Sequence, residues 1–501
     1  MNAKRTLLSV GVLVLFLTSL PLVSASTKWY VDGVNGNDSN NCLSPTTACK
    51  TIGHAISLSS SGDSVSVAEA TYTENLTISI SLKLIGASPT TTIIDGGAVN
   101  TVVSVPNTNT RVTLSKLTIR NGKITTSLFS RRGGGGIFNT GTLTVSNSTI
   151  TANSVYAGTV VVYGGGVFNS GTLIISNSTL DGNSANAYTF ADADGGAVYN
   201  AGTLTINGST VSSNSASCSP IIDSGHAHGG GVYNVGTLTI NNSTINGNET
   251  RGFPGGTGGG IYSRGSLTIN NTTLSGNYSS LFPGDGIDGA ASLQNSILAS
   301  NSGGNCSGTM TSNGYNLSDD NSCSFNGPGD LNNTDPKLGP LQNNGGPTQT
   351  QALLSGSPAI DAGNPSGCTD GSGNLLKTDQ RGAPRPDRED SGGCDMGAYE
   401  KQTDLATFGG PLISIQDEAE VLSDRKILRG LADTITYNGN CEVDGFGKLT
   451  GSCLDANVPP YHFCRLGSSA SCSRGKRAIH ESVVQCSGFP DRVDSARKCS
   501  F

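Results

Sequence analysis

Six residues near the middle of the chain have types that hold cations or move protons. Asp192 and Asp194 are two apart, Asp223 follows about one repeat later, His226 and His228 are again two apart, and Arg251 lies beyond them. Side chains two apart on an extended chain share a face. Asp192, Asp194 and Asp223 are therefore a candidate cation site, and Ca²⁺ is the ion that such oxygen donors take. A Ca²⁺ site beside an Arg or Lys base is the equipment for removing the proton next to a uronate carboxylate. His226-x-His228 is a candidate metal pair, although two ligands fall short of a structural zinc site. Solvated loop side chains would give the same pattern. No metal is assigned on these residues and no cofactor is expected, with Ca²⁺ as the one candidate ion.

What must position these residues is a repeat. Five copies align: GGGIFNTGTLTVSNSTITAN, GGGVFNSGTLIISNSTLDGN, GGAVYNAGTLTINGSTVSSN, GGGVYNVGTLTINNSTINGN and GGGIYSRGSLTINNTTLSGN. Their equivalent positions Asn139, Asn169, Asn200, Asn234 and Ser263 are 30, 31, 34 and 29 residues apart. Within each copy aliphatic residues alternate with Thr and Ser, as in Leu143/Val145, Leu173/Ile175, Leu204/Ile206, Leu238/Ile240 and Leu267/Ile269. Period two with β-branched residues predicts strands. A second strand is expected around Ile150, Leu180, Val211, Ile245 and Leu274, and a third around Ile137, Val167, Val198, Val232 and Ile261. No helical period is evident. Three short strands and their turns then make one coil, and the coils stack as a right-handed parallel β-helix, an all-β solenoid. Weaker copies flank the core repeats of about 135–301, with Leu293 to Asn301 as the last coil.

Two Asn columns punctuate the copies: Asn139, Asn169, Asn200 and Asn234, and Asn153, Asn183, Asn214, Asn248 and Asn277. Asn tolerates turn conformations, and stacked amides can hydrogen-bond from coil to coil. Insertions all fall between the xxxN motif and the next GGG, so they project from one edge of the rod, where repeat proteins often bind. The six candidate residues lie on that edge, with Tyr156, Tyr163, Asp285 and Asp288.

Composition agrees with a thin core. The chain of 501 residues holds 69 Gly, only 13% charged residues and 5% aromatics, with a net charge of −7. No basic run is large enough for a nucleic-acid patch. Lys4 and Arg5, the apolar stretch Thr6 to Leu20 and Val23-Ser24-Ala25 form a signal peptide over 1–25, leaving no transmembrane span after cleavage. The chain carries 13 Cys. An exported location permits disulfides, and three close pairs are candidates: Cys42 with Cys49, Cys306 with Cys323 and Cys368 with Cys394.

Several segments resemble known families. WYVDGVNGNDSNNC, CKTIGHAI and LKLIGASPTTTIIDGG resemble the N-terminal region of pectate-lyase-like β-helix proteins. The five copies resemble the polymorphic outer membrane protein repeat, with an aliphatic residue where that repeat has an aromatic in its second tetrapeptide. DPKLGPLQNNGGPTQTQALLSGSPAIDAG, TDQRGAPRP and CDMGAYE resemble the choice-of-anchor Q domain. These resemblances imply a signal peptide (1–25), a β-helix with its N-terminal cap (26–334), a Q-like cap domain (335–401) and an unassigned Cys-containing tail (402–501). No recognisable anchoring motif follows Glu400. Asp379, Arg381 and Arg385 read as internal ion pairs of the Q-like segment.

The outward strand positions are mostly Ser, Thr and Asn, which supply no acid/base pair. The expectation is a secreted or cell-surface β-helix, acting as an adhesin or carbohydrate-contacting spacer without catalysis. Its partner would be an extracellular polysaccharide or a host or cell-surface component. The alternatives are a pectate-lyase-like polysaccharide lyase or hydrolase, since fold alone does not decide function, and a self-associating envelope protein.

Overall fold

The computed structural model describes residues 26–402, apart from 127–132, 189–190, 220–224, 253, 281–283 and 388–392, together with short strands between 434 and 499. The signal segment, Asp223 and most of the tail lie outside the described residues. The chain divides into two compact units, Met1–Lys401 and Gln402–Phe501. In the second, Thr434–Tyr437, Cys441–Asp444 and Leu449–Gly451 form an antiparallel sheet, and Val484–Gln485 pairs with Lys498–Cys499.

The first unit is a parallel β-helix. One coil runs through Ile137–Asn139, Thr142–Ser146, Thr149–Thr151, Ser154–Ala157 and Val162–Tyr163 before Val167–Asn169 begins the next. Stacking these strands gives five parallel sheets. Sheet A contains Thr142–Ser146 and has eleven strands, B contains Thr149–Thr151 and has ten, and C contains Ile137–Asn139 and has nine. Sheets D and E contain Ser154–Ala157 and Val162–Tyr163 and have six and four strands.

The register follows the sequence alignment: Leu143 pairs with Leu173, Leu173 with Leu204, and Leu204 with Leu238. These side chains are wholly buried, as are Ile150, Val167 and Ile206. Burying each such side chain is worth roughly 1.5–3 kcal/mol. Among the described residues one α-helix, Ile52–Leu58 with Thr51 as its N-cap, buries Ile52 and Ala55 against the N-terminal coils. It lies in the CKTIGHAI segment, where the sequence pattern had suggested no helix, because seven residues are too few to show a helical period.

The insertions differ from the expected loops. Their described residues include the extended strands of sheets D and E, and a second core of small residues lies between these: Val155, Ala157, Ala185, Ala187, Ala193 and Ala227. Small side chains let two sheets within one coil come close. The solenoid also continues past Asn301, with Cys306–Ser307, Met310–Ser312 and Leu317–Ser318 extending sheets C, A and B.

Polar ladders run inside the rod. Asn139 Nδ2 donates to Asn169 Oδ1 at 2.7 Å, and the chain continues through Asn200 and Asn234 to Ser263. The second ladder joins Asn153, Asn183, Asn214, Asn248 and Asn277 at 2.9–3.0 Å and passes on to Asn301 and Asn305. Each of these amides also serves a backbone group, as when Asn183 Nδ2 donates to Ile150 O. Full pairing is what allows an amide to be buried at all. A third ladder, not read from the sequence, links the N–H of Ser148 to Ser178 Oγ, Ser178 to Ser209 and Ser209 to Ser243.

The described residues of 336–401 lie along the flank of the rod. Thr210 donates to Gln349 O at 2.6 Å, Thr244 donates to Gln380 Oε1 at 2.6 Å, and Ser275 bonds Gln351. These contacts bury a stretch of the outward Thr column of sheet B. Arg381 pairs with Asp379, and Arg385 with Glu400, within the segment. Disulfides join Cys42–Cys49, Cys306–Cys323 and Cys368–Cys394. Cys218 is free and buried. Among the described residues no helix is long and apolar enough to cross a membrane.

Candidate functional site

Each strand of sheet E leads into sheet C through the GGG or GGA segment that opens the next copy. Gly164 takes φ 58°, a left-handed conformation open to Gly. A Cβ on Gly165 would overlap the backbone of Ser184 and Gly196 in the next coil. The triplet thus folds the chain sharply and brings the outward faces of E and C together.

Two columns meet in that corner. In the sheet C strands of the five copies the residue between the inward aliphatic and the ladder residue is aromatic: Phe138, Phe168, Tyr199, Tyr233 and Tyr262, in register. Their ring centroids are 5.1, 5.4, 5.2 and 5.2 Å apart, and neighbouring rings lie within 19° of parallel. On sheet E the register column is Tyr163, Asp194, His228 and Thr257. The columns interleave: Tyr163 packs on Tyr199 at 4.5 Å, and His228 on Tyr262 at 4.7 Å. The aromatic column ends where Asp288 pairs in register with Tyr262.

Asp194 is only 6% exposed, and its Oδ1 lies 2.9 Å from His228 Nδ1. Burial raises its pKa, against which the bond from His228 acts. Burial likewise raises the pKa of Asp288, opposed by the Thr257 and Ser307 hydroxyls and the charges of His228 and Arg264. Burial pushes the Tyr199 hydroxyl up to about 12, so it stays protonated and neutral at ordinary pH. Arg264 Nε donates to Tyr262 Oη at 2.8 Å, and its guanidinium lies over the Tyr262 ring, 5.4 Å from the centroid. The strip is therefore aromatic and hydrogen-bonding, with its acidic groups tied into pairs.

The sequence candidates separate. His226 N–H donates to Asp192 Oδ1 at 2.8 Å, and His226 Nδ1 lies 3.7 Å from the same oxygen. That pair is more exposed than Asp194–His228. Arg251 pairs with Glu249 at 2.8 Å and faces Tyr278, so its contacts are on sheet D. Asp285 is buried, taking bonds from Ser279 and the Gly303 N–H. Asp192, Asp194 and Arg251 are thus drawn to different partners. Among the described residues the one close group of three His, Cys or carboxylate side chains is Cys42, Cys49 and His54, and its two sulfurs are spent in a disulfide. The aromatic column, Arg264 and the placement of Asp288 at its end were not read from the sequence. The signal for the column was the F/Y that precedes Asn139, Asn169, Asn200, Asn234 and Ser263.

This register defines a parallel β-helix protein with an aromatic strip along one corner. No family profile matches the chain, and no curated protein matches it. Among solved structures it is similar to a rhamnogalacturonan lyase, at 11% identity and TM-score 0.38 over 66% of this chain and 96% of that one. It is also similar to the pectate lyase Pel9A, at 16% identity and TM-score 0.36 over 76% and 97%. A complex of XylC with xylose gives 9% identity and TM-score 0.35 over 75% and 98%.

Proposed function

We propose that this chain is an extracellular β-helix that contacts polysaccharide along the E/C corner and does not cleave it. The observation that carries this reading is the continuous strip formed by the interleaved columns from Tyr163 to Tyr262. Aromatic rings and hydrogen-bonding edges, repeated once per coil along the axis, suit a polymer that is itself periodic. Aromatic surface combined with a few polar groups is the usual composition of a site for an organic ligand. Three disulfides support an oxidising, extracellular setting. The resemblance of residues 335–400 to the choice-of-anchor Q domain supports a place at a cell surface, and the resemblance of the copies to the polymorphic outer membrane protein repeat agrees with it.

A second reading, hydrolysis, draws on Asp194 and Asp288. Both have raised pKa values, as a general acid requires. Against it, Asp194 is closed off by His228, and Asp288 is restrained by its hydroxyl neighbours. The test is affinity electrophoresis of the mature chain and of Tyr199→Ala/Tyr262→Ala through gels containing acidic or neutral polysaccharides. Retardation of the wild type that the double variant loses supports the strip. Equal mobility of the two proteins in every gel contradicts it.

A further inference from the structure

We propose a second saccharide site, for a short neutral oligosaccharide, in the cleft between sheet A and the flanking segment. This rests on the reading that the protein meets glycans, but it uses none of the strip residues. The cleft has a volume of about 660 Å³, inside the range of ligand sites. Its floor is the outward side of sheet A and the adjoining turn: Asn177, Thr205, Asn207 and Thr239. Its roof is Pro347, Asp370 to Ser372, and Leu376 to Gly382 without Lys377. Three contacts fix the roof: Asn242 Nδ2 donates to Thr378 O at 3.1 Å, Gly371 N–H to Asn241 Oδ1 at 3.0 Å, and Thr348 to Gly208 O at 3.3 Å.

The chemistry of the lining selects the ligand. The charged groups at the rim are already engaged. Asp379 takes Arg381 at 2.7 Å and the N–H groups of Ala383 and Glu400. Arg381 also stacks on Tyr399 at 3.6 Å. Asp370 is held by the N–H groups of Ser372 and Asn374. An ionised ligand such as a uronate would find no free counter-charge, and would meet carboxylates whose hydrogen bonds are already assigned.

The floor of the cleft is uncharged. Asn207 accepts from Asn241 through Oδ1 at 2.9 Å, which leaves its amide N–H₂ free to donate. The Thr205 and Thr239 hydroxyls and the Asn177 amide make no hydrogen bond to protein among the described residues. Amides and hydroxyls in a row offer paired donors and acceptors to vicinal hydroxyl groups. Apolar lining is confined mainly to Pro347 and Leu376, too little for a peptide side chain or a lipid tail.

The test uses the mature full-length chain and calorimetric titration with cellopentaose, xylopentaose, mannopentaose and pentagalacturonate. Thr205→Arg and Thr239→Arg fill the cleft from outward positions, and circular dichroism checks their fold. Thr205→Val removes only the hydroxyl. The expected result is binding of at least one neutral pentaose and not the uronate, unaffected by chelator. It should weaken roughly tenfold or more in the Arg variants and less in Thr205→Val, a tenfold loss being one lost interaction of ordinary size. Tyr199→Ala/Tyr262→Ala should bind the pentaose as the wild type does. Absence of neutral binding, preference for the uronate, or wild-type affinity in both Arg variants would overturn the proposal. The strip is tested separately, because cleft variants that still bind polymer leave it standing.

Discussion

Asp194 and His228 are register partners in neighbouring strands of sheet E, and their side chains meet at 2.9 Å with the carboxylate almost wholly buried. They are 34 residues apart in sequence, so the contact exists because two insertions pair in register. A buried carboxylate without its partner costs far more than the pair contributes.

Replacing His228 with Leu should therefore destabilise the protein by about 1–3 kcal/mol, the cost of orphaning a buried polar group. Asp194→Asn/His228→Leu should recover part of that loss. Urea unfolding of both single variants and the double variant checks this as a cycle. Effects that add within about 0.5 kcal/mol would show the pair to be uncoupled.

Asn183 serves the backbone of two coils and the amides on either side. Asn183→Ala leaves Asn153 and Ile150 O without their partner and should cost at least about 1–3 kcal/mol. The outward Thr144→Ala should stay within about 0.5 kcal/mol. Thermal and denaturant midpoints measure both.

Tyr163 pairs in register with Asp194. Deleting 164–194 therefore removes one coil and rejoins the chain in register. The shortened protein should remain folded, since stacked repeats contribute nearly additively, and lose about 4.8 Å of rod length. Leu204→Asp should do worse, because an inward charge has no partner there. Scattering and circular dichroism report both outcomes.

The inward aliphatics and the Asn ladders were legible because neighbours across a coil are copies of one another in sequence, and the disulfide candidates because each pair is close along the chain. Aligning the copies is equivalent to laying out the register. The strands of sheets D and E were not legible. Stretches such as Ser184–Tyr188 and Gly225–His228 vary in length and use small residues, so no period marks them. The aromatic column was present in every aligned copy, yet its meaning depends on the glycine triplet turning sheet E against it. The site on the flank was hidden for a different reason. The contacts of Gln380 with Thr210 and Thr244 span 170 and 136 residues with no repeat to suggest them.

Stability should peak in mildly acidic solution. The Asn35 and Val34 N–H groups lower the pKa of Asp32 below its ordinary 3.8. Burial would raise that of Asp95, but Gly97, Asn121 and Arg120 outweigh it. Such groups stabilise the fold above the ordinary value and lose that contribution as pH falls through their lowered values. Asp395 has the opposite sign. Burial, then the charge of Glu400, raises it from 3.8 to about 7, so the folded state holds a proton that the unfolded state releases. Stability should fall as pH rises from 3.8 to about 7 and then level off. Urea midpoints across this range check the slope. A continuous rise to pH 8 would contradict the role given to Asp395.

The most direct test of binding without cleavage is to incubate the mature protein with polygalacturonate, rhamnogalacturonan and xylan, with Ca²⁺ and with chelator. New reducing ends and unsaturated uronate absorbance are then followed beside binding. Binding to at least one polymer is expected, with no new ends and no absorbance in either condition. New ends without unsaturation would point to hydrolysis through Asp194 or Asp288, and Ca²⁺-dependent unsaturation to a lyase; either would contradict the central claim.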